Sequence, residues 1–166
     1  MEKKIAVYAG SFDPFTNGHL HLFEQAKTLF DDIYVLFALN PKKQRFTVQT
    51  DMANLVYEML NKDLHPVPGM IIKYQVLYTT GLVADFCKQV KATHLIRGLR
   101  NTTDYLYEEE IAKANKELYP ELETIYFRAK DEVVSSSFVR LLWEQGRNID
   151  KYVPKPVAEM LKGLKK

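Results

Sequence analysis

Ser11, Thr16, His19, Lys43, Arg97 and Arg100 form a set of hydrogen-bond donors and cations of the kind that grips a phosphate chain. Thr16 and His19 stand three positions apart in Gly10-Ser11-Phe12-Asp13-Pro14-Phe15-Thr16-Asn17-Gly18-His19, where a strand-like run hands over to a helix-like one. At a helix start that spacing lets both side chains point at one spot. The free amides and the helix dipole favour a bound anion there, and Gly10 and Gly18 let backbone approach a ligand closely. Taken alone, Thr16 is equally a helix cap and His19 an ordinary surface histidine.

A second cluster, Ile96-Arg97-Gly98-Leu99-Arg100, places two guanidiniums around a glycine at a strand end. Each gives forked donors to phosphate, although surface salt bridges would use the same residues. A third, Val134-Ser135-Ser136-Ser137-Phe138-Val139-Arg140, offers hydroxyls and amides at another helix start. That is a phosphate cradle or a plain helix cap. No Walker loop and no Gly-x-Gly-x-x-Gly is present, and no Ser-His-Asp set is evident. The chemistry implied is alignment and charge compensation of phosphates.

Strands and helices alternate around these clusters. Lys4–Ala9, Ile33–Leu39, Met70–Leu77, His94–Arg97 and Glu123–Phe127 read as strands. Helix-period segments run from Asn17 to Phe30, Thr47 to Leu60 with Thr47 as cap, Gly81 to Lys91, Thr103 to Leu118 and Ser136 to Gln145. Pro154 opens a last helix as its first residue. The pattern predicts a doubly wound, five-stranded parallel sheet with helices on both faces, as one domain over 1–166. Such sheets bind ligands outside the carboxyl ends of their strands, which is where all three clusters fall.

The 166-residue chain carries a formal net charge of +2, which does not advertise a nucleic-acid partner. A single cysteine, Cys87, excludes an intramolecular disulfide or a multi-cysteine metal site, and its apolar surroundings make it a small core residue. No run approaches the roughly 20 apolar residues of a membrane span, and no signal peptide leads the chain. The expectation is a cytoplasmic protein that binds neither membrane nor nucleic acid.

The first loop resembles the Thr/His-x-Gly-His signature of the adenylyl- and cytidylyltransferase superfamily. Its Thr-first form with Phe-Asp-Pro is similar to the bacterial phosphopantetheine adenylyltransferase family, along essentially the whole chain. Ile96–Arg100, Asp104-x-x-Tyr107-Glu108 and Ser135–Arg140 match the same family. The resemblance implies a Rossmann-like nucleotidyltransferase fold with C-terminal helices, and adenylyl transfer from ATP to 4′-phosphopantetheine. It implies ATP contacts by Ser11, Phe12, His19, Gly98, Leu99, Arg100, Glu108, Val134, Ser135, Ser136 and Ser137. Acceptor contacts would come from Ser11, Lys43, Leu82, Val83 and Arg97, with Lys42 as the alternative to Lys43 in Asn40-Pro41-Lys42-Lys43.

His19 is then the transition-state stabiliser, with Thr16, Lys43 and Arg100 beside it. Mg²⁺ would be held mainly by substrate phosphates rather than by protein ligands, and a homohexamer is implied. The chain departs from the family at Ala9, where proline is common, and at Asp131–Val133, one residue shorter. Two other readings stay open: the same reaction on a different phosphate acceptor, such as nicotinamide mononucleotide or a sugar phosphate, and a non-catalytic nucleotide sensor.

The acceptor's phosphate monoester has a second pKa of about 6 and is mostly dianionic at neutral pH. It can attack the α-phosphorus without a general base, so the protein's task is alignment.

Overall fold

The computed structural model describes residues 3–62, 74–129 and 134–164. Five strands, β1 (Ile5–Gly10), β2 (Asp32–Ala38), β3 (Tyr74–Thr79), β4 (His94–Leu99) and β5 (Glu123–Arg128), form one parallel sheet in the order β3-β2-β1-β4-β5. Helices α1 (Asn17–Ala26), α2 (Gln49–Asn61), α3 (Val83–Gln89), α4 (Thr102–Leu118), α5 (Ser136–Glu144) and α6 (Lys155–Gly163) cover it. The architecture is the α/β, Rossmann-like one that the alternating pattern predicts.

Burial on both faces explains why β1 and β2 are apolar without alternation. Ala6 and Tyr8 of β1 face one core with Phe23 of α1, Val139 of α5 and Leu161 of α6. Val7 and Ala9 face the other, with Ala84 and Cys87 of α3 and Leu95 of β4. Cys87 is fully buried, and burial pushes its thiol up to about 12, so it is a core residue as expected. The strand order reverses between β1 and β4. Their carboxyl ends, Gly10 and Leu99, therefore open the crevice in which α/β sheets bind ligands.

Several boundaries differ from the sequence expectation, each for a local reason. α1 ends at Ala26 rather than Phe30: the amides of Thr28 and Leu29 turn back to carbonyls three residues earlier, and Phe30 swings into the core. Gly81 and Leu82 precede α3, and Lys91, at φ 56°, lies beyond its end. Thr47 does not cap α2: Val48 holds the N-cap position with no side-chain bond, and the Thr47 hydroxyl donates to Asp13 Oδ1 at 2.7 Å instead. Pro154 is the N-cap of α6 rather than its first residue, and Pro156 occupies the first turn. The expected start of the third strand, residues 70–73, and the 131–133 contacts lie outside the described residues.

Candidate active site

At the crevice lies a cavity of about 730 Å³ whose walls come from all three clusters. Ser11, Phe12, Thr16 and His19 line it from the β1–α1 turn, Arg97 and Gly98 from β4, Arg100 from just beyond it, and Val134 to Ser137 from the start of α5. Lys43 to Phe46 close one side, and Asp104, Tyr107 and Glu108 of α4 another. Of the two candidate lysines only Lys43 lines the space. Leu99, Leu82 and Val83 do not: Leu99 pairs with Arg128 at the end of β4, Leu82 is exposed at the α3 N-cap, and Val83 packs on the Val7–Ala9 core.

The β1–α1 turn is shaped by its aromatic residues. Phe12 has a left-handed φ of 46°, which sends its ring into the core. There it meets Tyr8, Phe37 and, edge-on at 5.0 Å, the ring of His19. A Cβ on Gly10 would lie 2.8 Å from the Phe12 ring, so glycine there is a packing requirement. Phe12 thus supports the site from behind.

Thr16 and His19 close a reciprocal capping box on α1. The Thr16 hydroxyl accepts the His19 amide, and His19 Nδ1 accepts the Thr16 amide at 3.0 Å. The cap reading is realised, and the His19 ring that serves the cap through one nitrogen also lines the cavity. Burial first, then the charges of Arg100 and Arg97, lower the His19 pKa to about 3. The side chain is a neutral imidazole at physiological pH.

The two arginines are already occupied by carboxylates. Arg97 donates from Nε and Nη2 to both oxygens of Glu108, the first at 2.6 Å, and from Nη1 to the Ala9 carbonyl at 2.6 Å. Burial opposes its charge, but the bonds to Glu108 outweigh it and raise its pKa. Arg100 makes a fork with Asp104, at 2.8 Å from Nε and 3.1 Å from Nη2. That hydrogen bond, ahead of burial, holds the Asp104 carboxyl below its ordinary range. The family resemblance implies that Arg97 and Glu108 serve different substrates, and the fold joins them to each other. An incoming phosphate meets guanidiniums that are oriented in advance.

The serine run does cap work as well as lining the cavity. Ser135 caps α5 through the Phe138 amide, Ser136 donates to the Pro14 carbonyl at 2.9 Å, and Ser137 accepts from Arg140. α5 therefore begins at the cavity wall, which sets its amide end, an end that favours anions, beside the cavity.

Two residues of the site, Asp13 and Arg140, stand inside the sequence motifs but have no site role there. Asp13, 4% exposed, accepts the amides of Phe46 and Thr47 at 2.9 Å each, as well as the Thr47 hydroxyl. Arg140 donates to the Asp13 carbonyl. These bonds span 33 or more positions of chain, and nothing local in the sequence marks such a pairing.

Residues 7–141 match the cytidylyltransferase-like family. A phosphopantetheine adenylyltransferase of Streptococcus suis is 42% identical over 98% of this chain and 97% of its own. One from Leptospira biflexa is 39% identical over 96% of both chains. Among solved structures, a bifunctional NMN adenylyltransferase/ADP ribose pyrophosphatase of Francisella tularensis superposes with a TM-score of 0.67 at 13% identity, over 98% of this chain and 50% of that one. At that identity the likeness is one of fold.

Proposed function

The chain belongs to the cytidylyltransferase-like superfamily and, within it, to the phosphopantetheine adenylyltransferase family, and from that membership we propose that it transfers the adenylyl group of ATP to 4′-phosphopantetheine, giving dephospho-coenzyme A and pyrophosphate. The observation that carries the reading is the convergence of three chain segments, around His19, Arg100 and Ser136, on one cavity.

The acceptor phosphate attacks the α-phosphorus in line, and pyrophosphate leaves; a bond forms to the acceptor oxygen as the bond to the β-phosphate oxygen breaks. No covalent intermediate and no general base are required. His19 donates to an α-phosphate oxygen as charge shifts there. Arg100 and the α5 amide end take the nucleotide's phosphates, Lys43 and Arg97 take the acceptor's phosphate, and Ser11 serves both.

Among the described residues no group of three or more His, Cys, Asp or Glu is placed to hold a metal ion. Of the carboxylates that line the cavity, Asp13, Asp104 and Glu108 are committed to amides or arginines, and Glu144 is an exposed residue at the end of α5. That donor set fits magnesium brought in on ATP, with phosphate oxygens and water as ligands. Such an ion would offset charge on the departing pyrophosphate.

Among the described residues no helix is long and apolar enough to cross a membrane. A cytoplasmic location, no nucleic-acid partner and a homohexameric state complete the proposal, and sedimentation analysis tests the last. Pyrophosphate release from ATP and Mg²⁺ with 4′-phosphopantetheine, nicotinamide mononucleotide and a sugar phosphate in parallel tests the function. Release with 4′-phosphopantetheine alone is the expected result. Preference for another acceptor would refute the substrate, and no release with any acceptor would leave a nucleotide-binding protein without catalysis.

A further inference from the structure

Asp13 is a buried carboxylate whose side chain, among the described residues, bonds to no cation. Its three ligands are the Phe46 amide on Oδ2 and the Thr47 amide and hydroxyl on Oδ1. A carboxylate is the one side chain of this size whose two oxygens both accept; asparagine would turn a donor towards one of the three. Burial makes the match exacting, because a donor left without its acceptor there keeps its full desolvation cost. The same residue's backbone carbonyl takes Arg140, and the next carbonyl, of Pro14, takes Ser136, both on α5.

Asp13-Pro14 is therefore a junction between two walls of one cavity. Its side chain holds the segment that carries Lys43 to Phe46, and its backbone holds the nucleotide side at α5. Thr16 and His19 follow on the same turn. The sheet holds neither Lys43 nor Phe46, which lie between β2 and α2. The α2 N-cap, Val48, has no side-chain bond of its own, since Thr47 is turned to Asp13.

We propose that Asp13 is the positioning residue that registers the Lys43 wall on the His19 turn, and so governs the acceptor's side of the cavity without touching either substrate. The inference rests on the adenylyl-transfer reading, with Lys43 as the acceptor lysine. Because D13N leaves the backbone carbonyls in place, it separates the two walls: the α5 side keeps Arg140 and Ser136, and the Lys43 segment loses its anchor. A displacement of about 1 Å at a reacting group can cost on the order of a hundredfold in rate.

The test uses the full chain in three variants, D13N, T47V and T47S, with two readouts. Amide hydrogen exchange reads the tie itself. The Phe46 and Thr47 amides should exchange at least about tenfold faster in D13N than in the parent, because local opening loses its buried acceptor. Steady-state kinetics read its consequence. In D13N, kcat/KM for 4′-phosphopantetheine should fall about ten- to a hundredfold while KM for ATP stays at the parent value. T47V should move the same way to a smaller extent, and T47S, which keeps the hydroxyl, should return to parent values.

Unchanged exchange in D13N overturns the proposal. So does an equal loss on the ATP and acceptor parameters, the mark of a merely structural residue, or a T47S no better than T47V. If D13N does not fold, the Thr47 pair decides by the same criteria. An inactive parent would instead refute the adenylyl-transfer reading, and the exchange arm would then decide the tie alone.

Discussion

The Thr16 amide donates to Nδ1 of His19 at 3.0 Å, and this bond decides what His19 offers a ligand. A backbone amide is only ever a donor, so Nδ1 carries no proton. With the ring neutral, the hydrogen sits on Nε2. The helix cap thus sets the tautomer in which His19 Nε2 is a donor, as the proposed contact with an α-phosphate oxygen requires.

Replacing His19 should separate those roles. H19A loses both the cap bond and the donor: about 1 kcal/mol of stability and on the order of 10²–10³ in turnover. In H19Q the side-chain carbonyl can accept the Thr16 amide, as in the usual capping box, so denaturant midpoints should return towards the parent. ATP affinity by calorimetry should survive in both. Near-parent turnover of H19A would remove His19 from the mechanism.

The depressed His19 pKa has a definite sign for stability. The unfolded chain takes up a proton as pH falls through 6.5, whereas the folded site resists until about 3. His19 therefore contributes nothing to pH dependence above about 6.5 and makes the fold progressively less stable below it. Urea unfolding at about pH 5 and about pH 7.5 should show a larger loss for the parent than for H19Q. An NMR titration should find His19 still neutral at about pH 5.

The glycines of the site divide by what fills the space beside them. A Cβ on Gly18 would meet only ordinary contacts with Thr16 and Val134, the nearest at 3.5 Å to Thr16 Oγ1, and the residue lines the cavity. G18A should fold with unchanged stability and bind ATP more weakly. A Cβ on Gly98 would run into Cδ1 of Leu22, which is buried. G98A should cost about 1–3 kcal/mol by overpacking, read from chemical denaturation. Parent-like ATP affinity in G18A would show that no ligand approaches its backbone.

The two arginines should differ in stability though both line the cavity. R97A strands Glu108, 8% exposed, and should cost up to about 3 kcal/mol. R100A breaks an i,i+4 pair whose arginine is 38% exposed, worth at most about 0.5 kcal/mol. Equal unfolding midpoints for the two variants would contradict the pairing with Glu108.

What could be read from the sequence follows from the range over which each interaction acts. Period and composition act locally, and they located β1, β2 and α4 to within a residue or two. The Thr16-x-x-His19 spacing, Arg97–Arg100 and the serine run are local too, and all three meet at one cavity. Pairings between distant segments left no local trace. Asp13 with Thr47 cost α2 its expected cap, and Arg97 with Glu108 joined two residues expected on different substrates. The helical pattern outruns α1 because Phe30 is buried in the right register without being helical.

The convergence of His19, Arg100 and Ser136 on one polyphosphate can be tested directly by a crystal structure with a non-hydrolysable ATP analogue and Mg²⁺. The triphosphate should lie inside the cavity, with the α-phosphate within hydrogen-bond reach of His19 Nε2 and the β- and γ-phosphates between Arg100 and the start of α5. A triphosphate bound elsewhere, or one that leaves His19 without a phosphate contact, would contradict it.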